Sequence, residues 1–240
     1  MRSREELGEP DLVVLPGTKT TIADLAYLRA SGLANGVVEL AAKGAAVVGI
    51  CGGYQMLGRL ILDPDRVESR EGSAQGLGLL AAVTRFSASK ASHQVCGEVD
   101  ADRGLLGSCR GLSFDGYEIH MGTTVADTTA PAPFRLSRPG GWPHTSEDGL
   151  LSADGWTLGT YVHGLFHSNE LRRNILGSVA AKRGRRLRPG QGEFSQSREY
   201  DRLADLFRAS LDMKAVYGAA GLSVTEPPGP ESSTRPLEAV

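Results

Sequence analysis

The sequence predicts an α/β fold, a doubly wound, mainly parallel sheet with an additional mixed or antiparallel β segment. Short apolar runs at 11–15 and 45–50 have the composition of buried parallel strands, and a helical pattern follows each run. Between Gly76 and Leu158 the pattern changes to short strand-like stretches separated by Gly, Ser, Thr and Pro. Such stretches are typical of antiparallel or mixed pairing.

The first part of the chain alternates strands and helices, which is the order found in βαβ units. In chain order the predicted elements are a strand at 11–15, helices at 20–35 and 37–43, a strand at 45–50 and a helix at 54–62. Pro16-Gly17 closes the first strand, and Cys51-Gly52-Gly53 makes a sharp turn after the second.

The rest of the chain predicts mostly strands and then two helices. The strands are expected at 79–87, 94–99, 116–124, 134–136 and 156–162, and the helices after Ser168 and at 199–213. Ser168 has the chemistry of an N-cap. We expect residues 1–213 to form one domain and the Pro-, Glu- and Ser-rich residues 214–240 to form a disordered tail.

Composition narrows the classes of function. Lys and Arg number 26 and Asp and Glu 28, so the net charge of −2 provides no field that favours nucleic acid or a membrane surface. No apolar run is long enough to span a bilayer, and the N-terminus has no apolar signal segment, which predicts a cytoplasmic protein. Three cysteines without CxxC spacing predict neither a disulfide framework nor a metal site.

The sharpest local pattern surrounds Cys51. This cysteine stands between an apolar strand and a predicted helix, and glycines at 49 and 53 bracket it. A nucleophile elbow needs this arrangement, because its tight turn leaves no room for a Cβ at the neighbouring positions. The N–H groups that begin the following helix would favour a thiolate and an oxyanion. The alternative is a buried core cysteine without chemistry.

A thiol nucleophile needs a base, and two histidines are candidates. His163 ends a predicted strand just before a helix, where it can meet Cys51 across neighbouring strand ends. Alternation places Glu118 and His120 on one face of another strand, where they either orient each other or pair structurally. Either histidine can also be purely structural.

Four motifs in order point to a family. They are Pro16-Gly17-Thr18-Lys19, the run from Gly49 to Gln55, the run from Gly116 to Gly122, and the run from Tyr161 to Phe166. Together they resemble the class I-type glutamine amidotransferase domain of cobyric acid synthases, over roughly residues 4–213. The resemblance implies a flavodoxin-like fold.

The resemblance also implies roles for particular residues. Cys51 matches the nucleophile that attacks the side-chain amide of glutamine, and His163 matches the base. The oxyanion is expected between the N–H of Gly52 and the loop near Gly17, and Gln55 is expected to shape the glutamine pocket. L-Glutamine is then the substrate, and this chain needs no cofactor of its own. In the family, ammonia passes to a synthetase domain, where ATP and Mg activate carboxylates of a corrinoid, adenosylcobyrinic acid a,c-diamide.

Two departures from the pattern leave questions open. Common class I amidotransferases carry a glutamate two residues after the catalytic histidine, but Leu165 stands there, so the third triad member is unassigned and Glu118 is a candidate by chemistry alone. The sequence has no Gly-x-x-x-x-Gly-Lys-Ser/Thr loop, and few residues precede its first strand. We therefore expect the synthetase half, and the family's first strand and helix, to be missing from it.

Two alternatives to this function remain. One is an amidotransferase for another acceptor, as in cobyrinic acid a,c-diamide synthase or cell-wall glutamate amidation. The other is an inactive fragment or a non-catalytic subunit.

Overall fold

The computed structural model of the chain describes residues 1–127, 129–138, 145–188 and 195–222. Its helices are α1 (Arg4–Leu7), α2 (Thr21–Ala30), α3 (Leu33–Ala42), α4 (Gly52–Leu57), α5 (Asn169–Lys182), α6 (Gln196–Ser210) and α7 (Met213–Ala219). Its strands are β1 (Leu12–Leu15), β2 (Ala46–Ile50), β3 (Leu60–Leu62), β4 (Ser73–Gln75), β5 (Ala82–Val99), β6 (Ser113–Ala126), β7 (Phe134–Ser137), β8 (Ser146–Asp148), β9 (Leu150–Leu151), β10 (Thr157–Thr160) and β11 (Val162–His163).

The strands form two sheets, and these confirm the predicted α/β fold with its second β segment. One sheet has the order β1-β2-β10-β9, with parallel pairing among the first three strands and an antiparallel β9. The other follows β11-β6-β5-β3-β4, with β7 paired to β5 and β8 to β7. In this second sheet only β3 and β5 pair in parallel among the described residues.

Apolar side chains cover the parallel sheet on both faces, as a doubly wound sheet requires. Val47 of β2 packs in one cluster with residues of α3, whereas its neighbour Val48 packs in another cluster with residues of α5. Both valines are fully buried. Successive side chains of a strand point to opposite faces, so this alternation separates the two helical layers.

Two predicted helix boundaries are wrong. The first helix ends at Ala30 instead of continuing to residue 35, because Gly32 adopts a φ of +75° and α3 begins at the next residue. The helix predicted to reach Leu62 ends at Leu57, and Leu60–Leu62 is instead strand β3, which pairs with β4 and β5. Pairing on both edges outweighs the local helical pattern there.

The strands predicted at 79–87 and 94–99 are one continuous strand, β5. Its register against β6 shifts between Arg85 and Lys90, which marks a bulge. Gly122 of β6 lies against Arg85 and adopts a φ of +81°, where a Cβ would contact the Arg85 carbonyl oxygen at 2.7 Å. The bulge and this glycine redirect the end of β6 next to the candidate site.

The chain divides into two units after residue 194, not after residue 213 as expected. Neither α6 nor α7 has a buried residue, so neither belongs to a core that would justify the later boundary. Helix α7 begins at Met213 and continues to Ala219, so most of it lies in the segment 214–240 that was expected to be a disordered tail. The part of that predicted tail from 223 to 240 lies outside the described residues.

Candidate active site

Cys51 sits at the turn between β2 and α4 with a strained backbone. Its φ of +53° and ψ of −113° lie in a region that residues with a Cβ rarely occupy. Such strain persists only where the surrounding structure imposes it, and it is typical of a nucleophile at an elbow.

The glycines around Cys51 explain how the turn is held. A Cβ on Gly49 would lie 2.7 Å from the backbone carbonyl group of Gly53, and a Cβ on Gly53 would overlap the backbone carbonyl of Leu15. A Cβ on Gly52 would lie 3.2 Å from the backbone nitrogen of Thr18. The elbow therefore packs backbone against backbone on strand β1 and on the loop that follows it, as the glycine pattern predicts.

Gly17 lies between Cys51 and His163. A Cβ at Gly17 would be 2.7 Å from Cε1 of His163 and 3.4 Å from Cβ of Cys51. The Nε2 atom of His163 is buried and has no hydrogen-bond partner among the described residues. The structure thus brings together Cys51, His163 and the loop containing Gly17, which the sequence singled out separately.

The Cys51 thiol and the His163 imidazole are both in their neutral forms in this structure. Burial raises the pKa of Cys51, and the nearby Glu68 carboxylate adds to that rise, while the Gly52 N–H opposes it. Burial lowers the pKa of His163. The resting form of Cys51 is therefore the thiol and not the expected thiolate. Helix α4 has only six residues, so its dipole does little to stabilise a thiolate at its N-terminus. The Cys51 thiol donates to the Ile119 carbonyl oxygen at 3.5 Å.

A cavity of about 680 Å³ opens onto this pair, and it contains charges of both signs. Glu68, Lys19 and Lys90 line it. Glu68 is held in place because its carboxylate accepts from the Ile22 N–H at 2.8 Å. Burial raises the pKa of Glu68. Sequence reasoning missed Glu68, since it stands in a polar loop without a distinguishing pattern.

Gln55 is almost fully buried beneath the cavity, and its amide is fully engaged with the protein. Its Nε2 donates to the Met121 carbonyl oxygen at 3.0 Å and to the Tyr161 hydroxyl at 3.3 Å. Its Oε1 accepts from the Thr21 hydroxyl at 3.1 Å. Gln55 therefore ties α2, β6 and Tyr161 together, and it is one of the residues that line the cavity.

Glu118 does not have the position of an orienting carboxylate for His163. In the register of β6 and β11, His163 lies opposite Tyr117, and their rings stack with centroids 4.9 Å apart. Glu118 lies one residue further on, opposite Val162, and the charges that act on it are those of His93 and Arg138. Residues that follow one another in a strand point to opposite faces, so the register places Tyr117 rather than Glu118 beside His163.

Neither a metal-binding cluster nor a membrane-spanning helix occurs among the described residues. In the described part of the chain, no group of three His, Cys, Asp or Glu side chains is arranged to hold a metal ion. No helix within the described ranges is long and apolar enough to cross a membrane.

Comparison with known proteins places these motifs in a family. A model of the CobB/CobQ-like glutamine amidotransferase domain matches residues 1–171. Cobyric acid synthase from Dehalococcoides mccartyi strain 195 is 44% identical over 212 residues, which cover 88% of this chain and 42% of that protein. Cobyric acid synthase from Moorella thermoacetica is 42% identical over 224 residues, covering 92% of this chain and 43% of that protein.

The fold also matches a solved structure. The structure of PurLQS from Thermotoga maritima superimposes with a TM-score of 0.51 at 15% identity, covering 73% of this chain and 81% of that one. This likeness concerns the fold alone. The chain spans less than half the length of the curated relatives it matches. On the family match and the identity to these relatives, the chain belongs to the CobB/CobQ-like glutamine amidotransferase domain family.

Proposed function

We propose that this chain releases ammonia from the side-chain amide of L-glutamine, with Cys51 as nucleophile and His163 as general base and acid. The observation that supports this most is that the strained Cys51 and His163, whose Nε2 has no hydrogen-bond partner among the described residues, line the same cavity. A neutral imidazole with a free lone pair can accept the thiol proton.

The reaction follows from this arrangement. Cys51 passes its proton to His163 as its sulfur bonds to the amide carbon, and the carbonyl oxygen becomes an oxyanion facing the Gly52 N–H and the loop at Gly17. The carbon–nitrogen bond then breaks, and the nitrogen takes the proton from His163 and leaves as ammonia. Water attacks the resulting thioester with His163 again as base, which gives glutamate and restores the thiol.

The charges of the cavity fit the zwitterionic end of glutamine. The Glu68 carboxylate suits the α-ammonium group, and Lys19 and Lys90 suit the α-carboxylate. The reaction consumes water and glutamine only, so it calls for no bound cofactor.

We further propose that the ammonia serves the amidation of a corrinoid carboxylate by an ATP- and Mg-dependent synthetase domain, in the cytoplasm. The names of the curated relatives favour this acceptor over the cell-wall acceptor.

The test is covalent labelling combined with turnover. A glutamine-analogue electrophile, diazo-oxo-norleucine, should label Cys51 and block ammonium release. Cys51→Ala should lose both labelling and turnover. Cys96→Ala is the matched control, because Cys96 is exposed on β5 outside the cavity, and this variant should keep both.

His163→Ala should lower turnover by about 10²–10⁴-fold without unfolding the protein. Labelling that persists in Cys51→Ala, or a His163→Ala variant with full turnover, would show that the assignment of the nucleophile or of the base is wrong.

A further inference from the structure

A second histidine, His120, lines the same cavity as Cys51 and His163, and the proposed reaction gives it no task. It lies on β6, one residue after Ile119, whose carbonyl oxygen accepts from the Cys51 thiol. Its side chain is half-buried. The question is what its ring offers to a bound substrate.

The hydrogen bonding of His120 fixes its tautomer. Its Nδ1 lies 3.1 Å from the Gly122 carbonyl oxygen, which can only accept, so Nδ1 carries the proton and donates. Burial lowers the pKa of His120, and the neighbouring His163 and His93 lower it further, so the ring is neutral at pH 7. In a neutral ring with a protonated Nδ1, Nε2 is an acceptor. No described residue hydrogen-bonds to this Nε2.

The ring is also held rigidly before any substrate enters. It stacks on Tyr161 with centroids 3.7 Å apart and an interplanar angle of 18°. The Tyr161 hydroxyl is itself held by the Thr124 hydroxyl at 2.6 Å and by Gln55. The left-handed backbone of Gly122 places the carbonyl group that Nδ1 needs. Because the acceptor is already fixed, little conformational entropy is lost when a substrate binds to it.

The geometry of an amide decides where such an acceptor acts. The amide oxygen and nitrogen are both bonded to the trigonal carbonyl carbon, so they point in two different directions within one plane. If the oxygen faces the N–H of Gly52, the NH₂ group turns away from the elbow and towards β6. Among the residues of β6 that line the cavity, Ile119 offers its carbonyl oxygen as an acceptor and His120 offers Nε2.

We propose that Nε2 of His120 accepts a hydrogen bond from the side-chain NH₂ of glutamine, so that the cavity selects glutamine over glutamate. This inference rests on the proposed function. The side-chain carboxylate of glutamate has only lone pairs to present, so it would face Nε2 and the Ile119 carbonyl without a proton between them. A site built around such a donor rejects analogues that lack it.

Binding measurements test this on the full chain with chemistry blocked by Cys51→Ser. Calorimetric titration of this variant should show L-glutamine binding at least about tenfold more tightly than L-glutamate. His120→Phe, added to it, keeps a ring against Tyr161 but removes the acceptor, and the preference should fall to within about twofold. His120→Gln, which supplies an amide oxygen as acceptor, should retain most of the preference. Thermal unfolding checks that each variant is folded.

A second measurement leaves His120 intact, so it stands even if His120→Phe does not fold. The γ-methyl ester of glutamate is neutral and similar in size to glutamine but has no side-chain N–H. It should bind the Cys51→Ser protein about tenfold more weakly than glutamine does.

The role of His120 is overturned if the ester binds as tightly as glutamine. It is also overturned if folded His120→Phe keeps the preference for glutamine, or if it loses affinity for glutamine and glutamate equally. These results leave the proposed function standing. Failure of the Cys51→Ser protein to bind glutamine at all overturns both proposals.

Discussion

Replacing Gly17 with alanine should move His163, the proposed base, away from Cys51, the proposed nucleophile, without unfolding the protein. The new Cβ would lie 2.7 Å from Cε1 of His163, whereas ordinary contacts are 3.4–4 Å. The His163 ring must therefore move by about 1 Å, since it is the end of a side chain and the backbone of the loop is packed against the elbow. A displacement of this size in a reacting group costs roughly 10²-fold in rate, or about 3 kcal/mol in activation free energy. The cost in folding stability should be about 1 kcal/mol.

The assay is ammonium release from glutamine, together with the rate at which diazo-oxo-norleucine labels Cys51. The Gly17→Ala variant should lose about 10²-fold in kcat, label more slowly and keep nearly the same melting temperature. Gly177→Ala is the matched control, because a Cβ at Gly177 on α5 meets nothing within 4 Å. It should leave turnover unchanged and gain up to about 1 kcal/mol of stability. If Gly17→Ala turns over within about threefold of the unmodified chain, the inferred closeness of His163 to the Gly17 site is mistaken.

Three further predictions concern pH and packing. Burial lowers the pKa of His163, so kcat/KM should hold its plateau down to below pH 6.5, and an acid limb above that pH would contradict a neutral base. Burial raises the pKa of Asp148 to about 6 from 3.8, so its contribution to stability is full below pH 3.8 and is lost as the pH rises through 6. The unfolding free energy of the unmodified chain, relative to Asp148→Asn, should therefore fall by about 3 kcal/mol from pH 4 to 7, and a flat difference would refute the assignment. Gly53→Ala should destabilise the fold by more than about 3 kcal/mol in thermal unfolding, because its Cβ overlaps the Leu15 backbone, and a stable variant would mean that β1 and the elbow can separate.

The sequence was informative where chemistry depends on the local backbone. Glycines at fixed offsets from Cys51 predicted the elbow, because only a residue without a Cβ permits those approaches. The interpretation was weaker where distant strands meet. The side chain opposite His163 depends on the register of β6 and β11, and a shift of one residue exchanges Tyr117 for Glu118. No local pattern fixes that register, so the sequence alone cannot decide which of the two residues lies beside His163.

Positions that depend on loops were the hardest to predict. Glu68 enters the cavity because Asp63 folds the preceding loop, accepting from the N–H groups of Val67, Glu68 and Ser69 at 2.7–3.0 Å. In the sequence this segment is only a polar stretch after an apolar one. The structure shows a carboxylate that caps three successive N–H groups, but in the sequence the same spacing fits many ordinary turns.

The two sheets supply opposite halves of the site, and His163 lies where they meet. The parallel sheet presents Cys51, the proposed nucleophile, and the N–H of Gly52, while β6 of the other sheet presents acceptors. β10 pairs with β2 of the first sheet, and β11, two residues later, pairs with β6 of the second. The link between them is Tyr161, whose N–H donates to Asp148 at 3.1 Å. His163 keeps its place at this link only if both pairings hold, so strand pairing sets the position of the proposed base. The proposed N–H donors depend instead on the elbow at Gly52 and on the loop at Gly17, which pack against each other.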